Sequence, residues 1–317
     1  MQCAHCGEIS ADPDARFCEA CGFSLRSPAA TPVACAHLEI DAGGYCEACG
    51  LKVGAGGAKL DFALNAGADL AIVSDRGRRH TSNQDAGVVA RREDGAVLLV
   101  VADGVSSSQN AAGASEAAVA ACVHTFVSAI DMRKLPLADQ ARMIVEAAAQ
   151  AVLDVARGAG VEGLDPPETT IVLVLAHEGH AGFAWVGDSR AYVLQAGATK
   201  PVTVDDSWAE QMISVGKMDR DTAMRDPRSH AILQCLGMGF DEIDFHICEA
   251  ELPADSGLLL CSDGFWNYFE TPELVAAAYA EAQAEGEAQD ICRKLVARAN
   301  SAGGRDNITV ALLRPVR

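Results

Sequence analysis

From Leu70 onward, apolar runs alternate with turn residues, and each run reads as a strand or a helix by its length and period. Leu70–Ser74, Ala96–Ala102, Thr170–Ala176, Ala181–Val186, Ala191–Leu194, Asp244–Ala250, Gly257–Cys261 and Asn307–Leu313 predict strands. Ala96–Ala102 is apolar enough to be buried on both faces. Ala111–Ile130 and Leu137–Arg157 predict long alanine-rich helices, and Asp206–Val215 a shorter one. Pro272–Ala284 and Glu287–Ala299 predict a helix pair before the last strand. Runs of strands alternate with runs of helices rather than with single helices. That pattern predicts an α+β fold with mostly antiparallel sheets over a doubly wound one.

Residues 1–50 lack this patterning and are too few to build a core of their own. Three spans result: residues 1–52 as one or two zinc-ribbon-like units, 53–68 as a glycine-rich linker, and 69–317 as the large domain. The ribbon reading rests on cysteine spacing. Cys3-x-x-Cys6 and Cys18-x-x-Cys21 each aim two thiolates at one point, and four such ligands close a tetrahedral structural zinc site. The second group keeps Cys46-x-x-Cys49, but its upstream half is Cys35-Ala-His37-Leu38. Two readings stand for it: a Cys3His site using Cys35, His37, Cys46 and Cys49, or a degenerate ribbon that holds no metal.

Composition narrows the function. Half of the 317 residues are apolar and 22% are charged, as in a globular protein. The net charge of −19 opposes binding to nucleic acid or anionic lipid. No apolar run is long enough to span a bilayer, and the first residues lack the basic and apolar blocks of a signal peptide, so a cytoplasmic protein is expected. In that setting disulfides are a poor explanation for the early cysteines.

The candidate chemistry lies in aspartates at strand ends. Leu98–Ala102 runs into Asp103-Gly104, and Leu258–Ser262 runs into Asp263-Gly264. Asp188 lies in Gly187–Arg190 between two predicted strands, and Asp306-Asn307 precedes the last one. Each pair alone reads as a turn. Gathered together, the carboxylates would repel unless a divalent cation lay among them, and oxygen ligands suit Mg²⁺ or Mn²⁺.

The ordered set Ser74–Asp85, Val101–Gly104, Thr169-Thr170, Gly187–Arg190, Ser262–Gly264 and Asp306–Thr309 resembles the metal-dependent protein phosphatase family of the 2C type, over residues 69–317. The resemblance implies an α/β/β/α sandwich of two antiparallel sheets flanked by helices, with a two-metal centre at one end. It implies that Asp103 bridges two Mn²⁺ or Mg²⁺ ions, that Gly104 offers its carbonyl, and that Asp263 and Asp306 ligate. Asp85 would act through metal-bound water, and Asp188 with Asp263 would hold a third, weaker ion. A metal-bridging hydroxide would then hydrolyse phosphoserine or phosphothreonine in line, with no phosphoenzyme. The implied partners are phosphorylated proteins, a Ser/Thr kinase and its substrates among them.

Several positions depart from the family pattern. His80 stands where an arginine often grips phosphate, and Arg78 or Arg79 could substitute for it. Gln84 replaces a common glutamate, Val105–Ser108 replaces Met-Gly-Gly-His, and Asn267 replaces an aspartate. Trp208–Gly216 corresponds to a mobile flap, with Trp208 expected to pack on the sandwich. Thr169 and Thr170 are expected to begin a core strand, and Ser189 and Arg190 to be structural. The rival reading is a weakly active or silent phosphoprotein-binding scaffold acting through its ribbons; the intact Asp103, Asp263 and Asp306 separate the two.

Overall fold

In the computed structural model, which describes residues 61–158, 166–195, 197–253, 255–283 and 286–315, the apolar runs assemble into two antiparallel sheets. The cysteine groups of residues 1–52 and their zinc assignment lie outside the described residues. In chain order the strands are β1 Phe62–Asn65, β2 Leu70–Asp75, β3 Asp85–Arg91, β4 Val97–Asp103, β5 Ile171–His177, β6 His180–Val186, β7 Arg190–Gln195, β8 Ala198–Pro201, β9 His246–Glu251, β10 Gly257–Cys261 and β11 Ile308–Leu313. The helices are α1 Ala111–Ser128, α2 Leu137–Gly158, α3 Trp208–Ser214, α4 Arg220–Arg225, α5 Asp263–Trp266, α6 Pro272–Ala282 and α7 Ala288–Ala302. One sheet runs β1-β2-β11-β10-β7-β8 and the other β3-β4-β5-β6-β9.

Strand alternation builds two of the apolar layers. Leu70 and Ile72 of β2 point between the sheets, where they join Leu99 and Val101 of β4, Val172 and Val174 of β5, and Leu258 and Leu260 of β10. Ala71 and Val73, on the opposite face of β2, join Leu259 and Val310 against Val275 of α6 and Leu295 of α7. The other sheet is covered by α1, which packs on β3 and β4, and α2, which packs on β5 and β6. Both faces of the central strands are therefore buried, which is why they read as continuous apolar runs. This is the α/β/β/α sandwich that the motif order implied. No helix among the described residues is long and apolar enough to cross a membrane.

Three strands escape the sequence pattern. β1 falls inside the span read as linker, yet it pairs with β2 from Phe62↔Ser74 to Asn65↔Ala71 and packs Phe62 and Leu64 on the inter-sheet core. β3 is interrupted by Gly87, where a Cβ would come within 2.4 Å of Ile72 Cδ1. The glycine that hides this strand is what lets the two sheets close on each other. β8 carries no buried residue among its four. The predicted helix at Asp206 starts later, at Trp208, because Ser207 takes the cap and accepts the Glu210 N–H at 3.3 Å.

Candidate active site

Register brings the strand-end aspartates to one place. Asp85 and Asp103 face each other directly across β3 and β4. Cys261 faces Arg190 across β10 and β7, so Asp263 and Asp188, two residues further out, leave the sheet at the same end. Asp306 lies at that end too, entering β11, whose Val310 faces Cys261. Like charges facing one another across strands are destabilising unless something neutralises them. The consequence is visible on Asp103: burial first, then the charges of Asp85, Asp263, Asp188 and Asp306, raise its carboxyl well above the usual range. Burial, with Asp306 and Asp85 behind it, pushes Asp263 up to about 7, while hydrogen bonds from Asp103 and Asn267 work the other way. Burial and the neighbouring Asp263 raise Asp188 likewise.

Each aspartate is held from behind. Asp85 is fully buried, and its Oδ2 accepts the hydroxyls of Thr309 at 2.5 Å and Ser262 at 2.8 Å. Ser74 and Asn83 extend that network, with Ser74 Oγ 2.7 Å from Thr309 Oγ1 and accepting Asn83 Nδ2 at 2.8 Å. Thr169 and Thr170 fix the backbone of Asp103: its carbonyl accepts the Thr170 N–H at 2.8 Å and the Thr169 hydroxyl at 2.9 Å. Asp188 presents its carbonyl to Trp266 Nε1 at 2.8 Å, and Arg190 lies 3.6 Å above that indole while forking onto Asp205. The Arg190 guanidinium is thus taken up by Asp205, and Ser189 Oγ lies 2.9 Å from Thr170 Oγ1. Asn267 donates to Asp263 Oδ2 at 3.2 Å.

Glycines let the backbones meet. A Cβ on Gly104 would stand 2.7 Å from the Ala111 carbonyl, and one on Gly264 only 1.8 Å from that of Asn307. The Asn307 side chain in turn ties the loop before β3 to the site, donating to the carbonyls of Arg76 and Ser82 and accepting the Gln84 N–H. Gln84 accepts the Ser106 hydroxyl at 2.9 Å, so the two departures from the family pattern there are bonded to each other.

The basic candidates separate. His80 stands inside the site, its Nε2 3.3 Å from Asp306 Oδ1, whereas Arg78 and Arg79 are exposed on the adjoining turn. In the segment compared to a flap, Trp208 lies under the Arg228 guanidinium at 4.1 Å.

Two positions behind the site carry no local sequence signal, Asp206 and His246. Asp206 Oδ2 accepts the N–H of Gly187, next to Asp188, at 2.9 Å, and its Oδ1 meets His246 Nε2 at 2.7 Å. His246 also stacks on Trp185 with ring centroids 5.0 Å apart. The Asp206 hydrogen bond raises the imidazole above its usual range against a smaller lowering by burial. Folding therefore gains most from this pair below the unfolded imidazole value of about 6.5, and loses that gain as pH rises through the raised value. His246→Gln is expected to lower the melting temperature most at acidic pH, with the gap to wild type closing toward alkaline pH. A gap that is constant across pH would show that the imidazole charge contributes nothing.

The donor set fits divalent cations by its chemistry. It is all oxygen and mostly carboxylate, and Oδ1 of Asp188 and Oδ1 of Asp263 are buried with no hydrogen-bond donor. Among the described residues no group of three or more His, Cys, Asp or Glu side chains is placed to hold a metal ion. The described cysteines offer no alternative nucleophile: burial raises the thiols of Cys122, Cys261 and Cys292 far up and that of Cys235 to about 12.

A family model described as Protein phosphatase 2C matches residues 75–298. The chain is 30% identical over 246 residues to "Serine/threonine phosphatase stp" of Listeria welshimeri, covering 76% of this chain and 93% of that protein. Among solved structures, the Mycobacterium tuberculosis serine/threonine phosphatase PstP/Ppp superposes with a TM-score of 0.66 at 27% identity, covering 78% of this chain and 98% of that one. The catalytic domain of PstP in complex with two manganese ions gives a TM-score of 0.60 at 26% identity, over 78% and 98% of the two chains.

Proposed function

This chain belongs to the protein phosphatase 2C family and is a protein serine/threonine phosphatase, and from that premise we propose that Asp103, Gly104, Asp263 and Asp306 hold two divalent cations, Mn²⁺ or Mg²⁺, for direct hydrolysis of phosphoserine and phosphothreonine. One observation carries this reading: aspartates from distant segments meet at one end of the sandwich, with buried carboxylate oxygens of Asp188 and Asp263 lacking any donor. Bound there, the cations supply water of lowered pKa and positive charge for the phosphoryl oxygens.

The chain's own groups do the positioning. Thr169 and Thr170 hold the Asp103 backbone, so its carboxylate keeps one direction. The hydroxyls of Ser262 and Thr309 keep Asp85 oriented as an acceptor for the N–H or O–H groups that approach it. His80, whose Nε2 lies 3.3 Å from Asp306 Oδ1, is proposed to meet the substrate phosphate, with Arg78 or Arg79 as the alternative. Asp188, raised by burial and by Asp263, is proposed as a further carboxylate for a third and weaker cation. The raised thiols of the described cysteines support hydrolysis without a covalent phosphoenzyme.

Phosphorylated proteins are the substrates, and a Ser/Thr kinase with its targets is the partner system we propose. Cys3, Cys6, Cys18 and Cys21 are proposed to hold one structural Zn²⁺. The purified protein is expected to dephosphorylate a phosphothreonine peptide with Mn²⁺, and EDTA to abolish the activity. Absence of turnover at every Mn²⁺ concentration, on peptide and on p-nitrophenyl phosphate, would sink this reading.

A further inference from the structure

Beside the acidic site lies a group of exposed arginines. The antiparallel register of β2 and β11, in which Asp75 faces Ile308, runs on past both strands: a Cβ on Gly77 would touch the Asp306 carbonyl at 2.1 Å, and the Arg78 N–H donates to the Gly304 carbonyl at 2.7 Å. The two turns so joined carry Arg76, Arg78, Arg79 and Arg305, all exposed. Among the described residues none of these guanidiniums has an acidic partner, whereas Arg91 pairs with Asp69 and Arg298 with Glu281 elsewhere on the surface.

Both turns are fixed. Asp61 Oδ1 accepts the Arg76 N–H at 2.8 Å and Asp75 Oδ1 the Gly77 N–H at 2.8 Å. The Tyr268 hydroxyl accepts the Arg305 N–H at 2.9 Å. Asn307 Nδ2 bonds the Arg76 carbonyl at 2.9 Å, so Arg76 and Arg305 stand on either side of the Asp306–Asn307 step that enters the site. Continued past the strands, the same register sets Asn307 against Arg76 and Arg305 against Arg78, so cationic side chains gather on the joined turns, which is unfavourable without a neutralising anion. Guanidinium forks match carboxylate and phosphate oxygens, and an exposed pair of them costs no burial.

We infer that this arginine rim binds a second anionic group on the substrate, so that the enzyme selects phosphopeptides carrying a further phosphate or carboxylate near the phosphoresidue being hydrolysed. The inference rests on the phosphatase reading of the adjoining site and adds a substrate class to it. It also answers a difficulty posed by the chain's charge: a protein at −19 repels acidic peptides at long range, and the rim reverses that sign locally.

Binding tests the rim independently of turnover. Fluorescence anisotropy would compare three labelled phosphothreonine peptides on the full chain: neutral flanks, one added glutamate, or one added phosphothreonine. Two host proteins limit turnover: the Asp263→Asn variant with Mn²⁺, read before its residual activity consumes the peptide, and the wild type in EDTA. The peptides with a second anion are expected to bind about tenfold tighter than the neutral one, with an affinity that weakens in salt. The two arms show whether carboxylate suffices or phosphate is needed. Adding Arg76→Gln, Arg78→Gln, Arg79→Gln and Arg305→Gln together is expected to bring all three peptides to parity. Equal affinities in the starting proteins, or a preference that survives the fourfold substitution, would overturn the rim. Turnover of p-nitrophenyl phosphate by wild-type protein, which has no second anion, reports on the phosphatase reading alone.

Discussion

Asp263→Asn is expected to lower turnover by on the order of 10²–10³-fold while making the metal-free protein more stable. Both effects have one origin. Asp263 is pushed up to about 7 by burial and by Asp306 and Asp85, so its charged form is held at a cost that cation binding would offset. In the metal-free protein the folded carboxyl binds its proton more tightly than the unfolded one. Its contribution to stability is therefore complete below the unfolded value of about 3.9 and fades as pH rises through about 7. Asparagine keeps the shape without the charge and is free of that loss. In EDTA near pH 8 the variant should melt a few degrees higher than wild type, and near pH 5 the difference should shrink. Mn²⁺ should raise the wild-type melting temperature more than the variant's. Turnover at the wild-type rate would refute the assignment of Asp263. A variant that melts lower than wild type in EDTA at pH 8 would refute the electrostatic account of the site.

Gly264→Ala should be worse for folding than any loss of charge. The added Cβ would lie 1.8 Å from the Asn307 carbonyl oxygen and 2.8 Å from its carbon, both backbone atoms. Asn307 cannot retreat, because its side chain is bonded to Arg76, Ser82 and Gln84 at once. Relief would require separating α5 from the entry to β11, at a cost of about 3 kcal/mol. The same movement would part Asp263 from Asp306, so activity should fall together with the urea midpoint. An alanine variant with the wild-type midpoint would mean that the close approach is not needed for folding.

The sandwich was implied by the family resemblance that the motif order carries. The apolar pattern anticipated the central strands, because they are buried on both faces, and failed for β1, β3 and β8. β3 contains Gly87, required by Ile72 of the facing sheet, and β1 and β8 are edge strands with little to bury. At the site, the aspartates could be named from the sequence, but their supports could not. Ser262 and Thr309 lie inside the motif spans, but only the fold shows both donating to Asp85. Asp206 read as the start of a helix, whereas its carboxylate holds Gly187 and His246. His80 stands at the position where the family often has arginine, with Arg78 or Arg79 as substitutes, and only the fold set His80 against Asp306 and left Arg78 and Arg79 exposed.

By itself, then, the sequence determined which segments bury, where their turns fall and which residues carry carboxylates, since burial and turn chemistry act over a few neighbouring residues. Only the tertiary structure decided that Asp85 faces Asp103, that Asp263 leaves the sheet beside Asp188, and that Arg76 and Arg305 share one rim. Those meetings depend on pairing register between strands far apart in the chain. Register is set by how two whole apolar faces fit together, which no local pattern records.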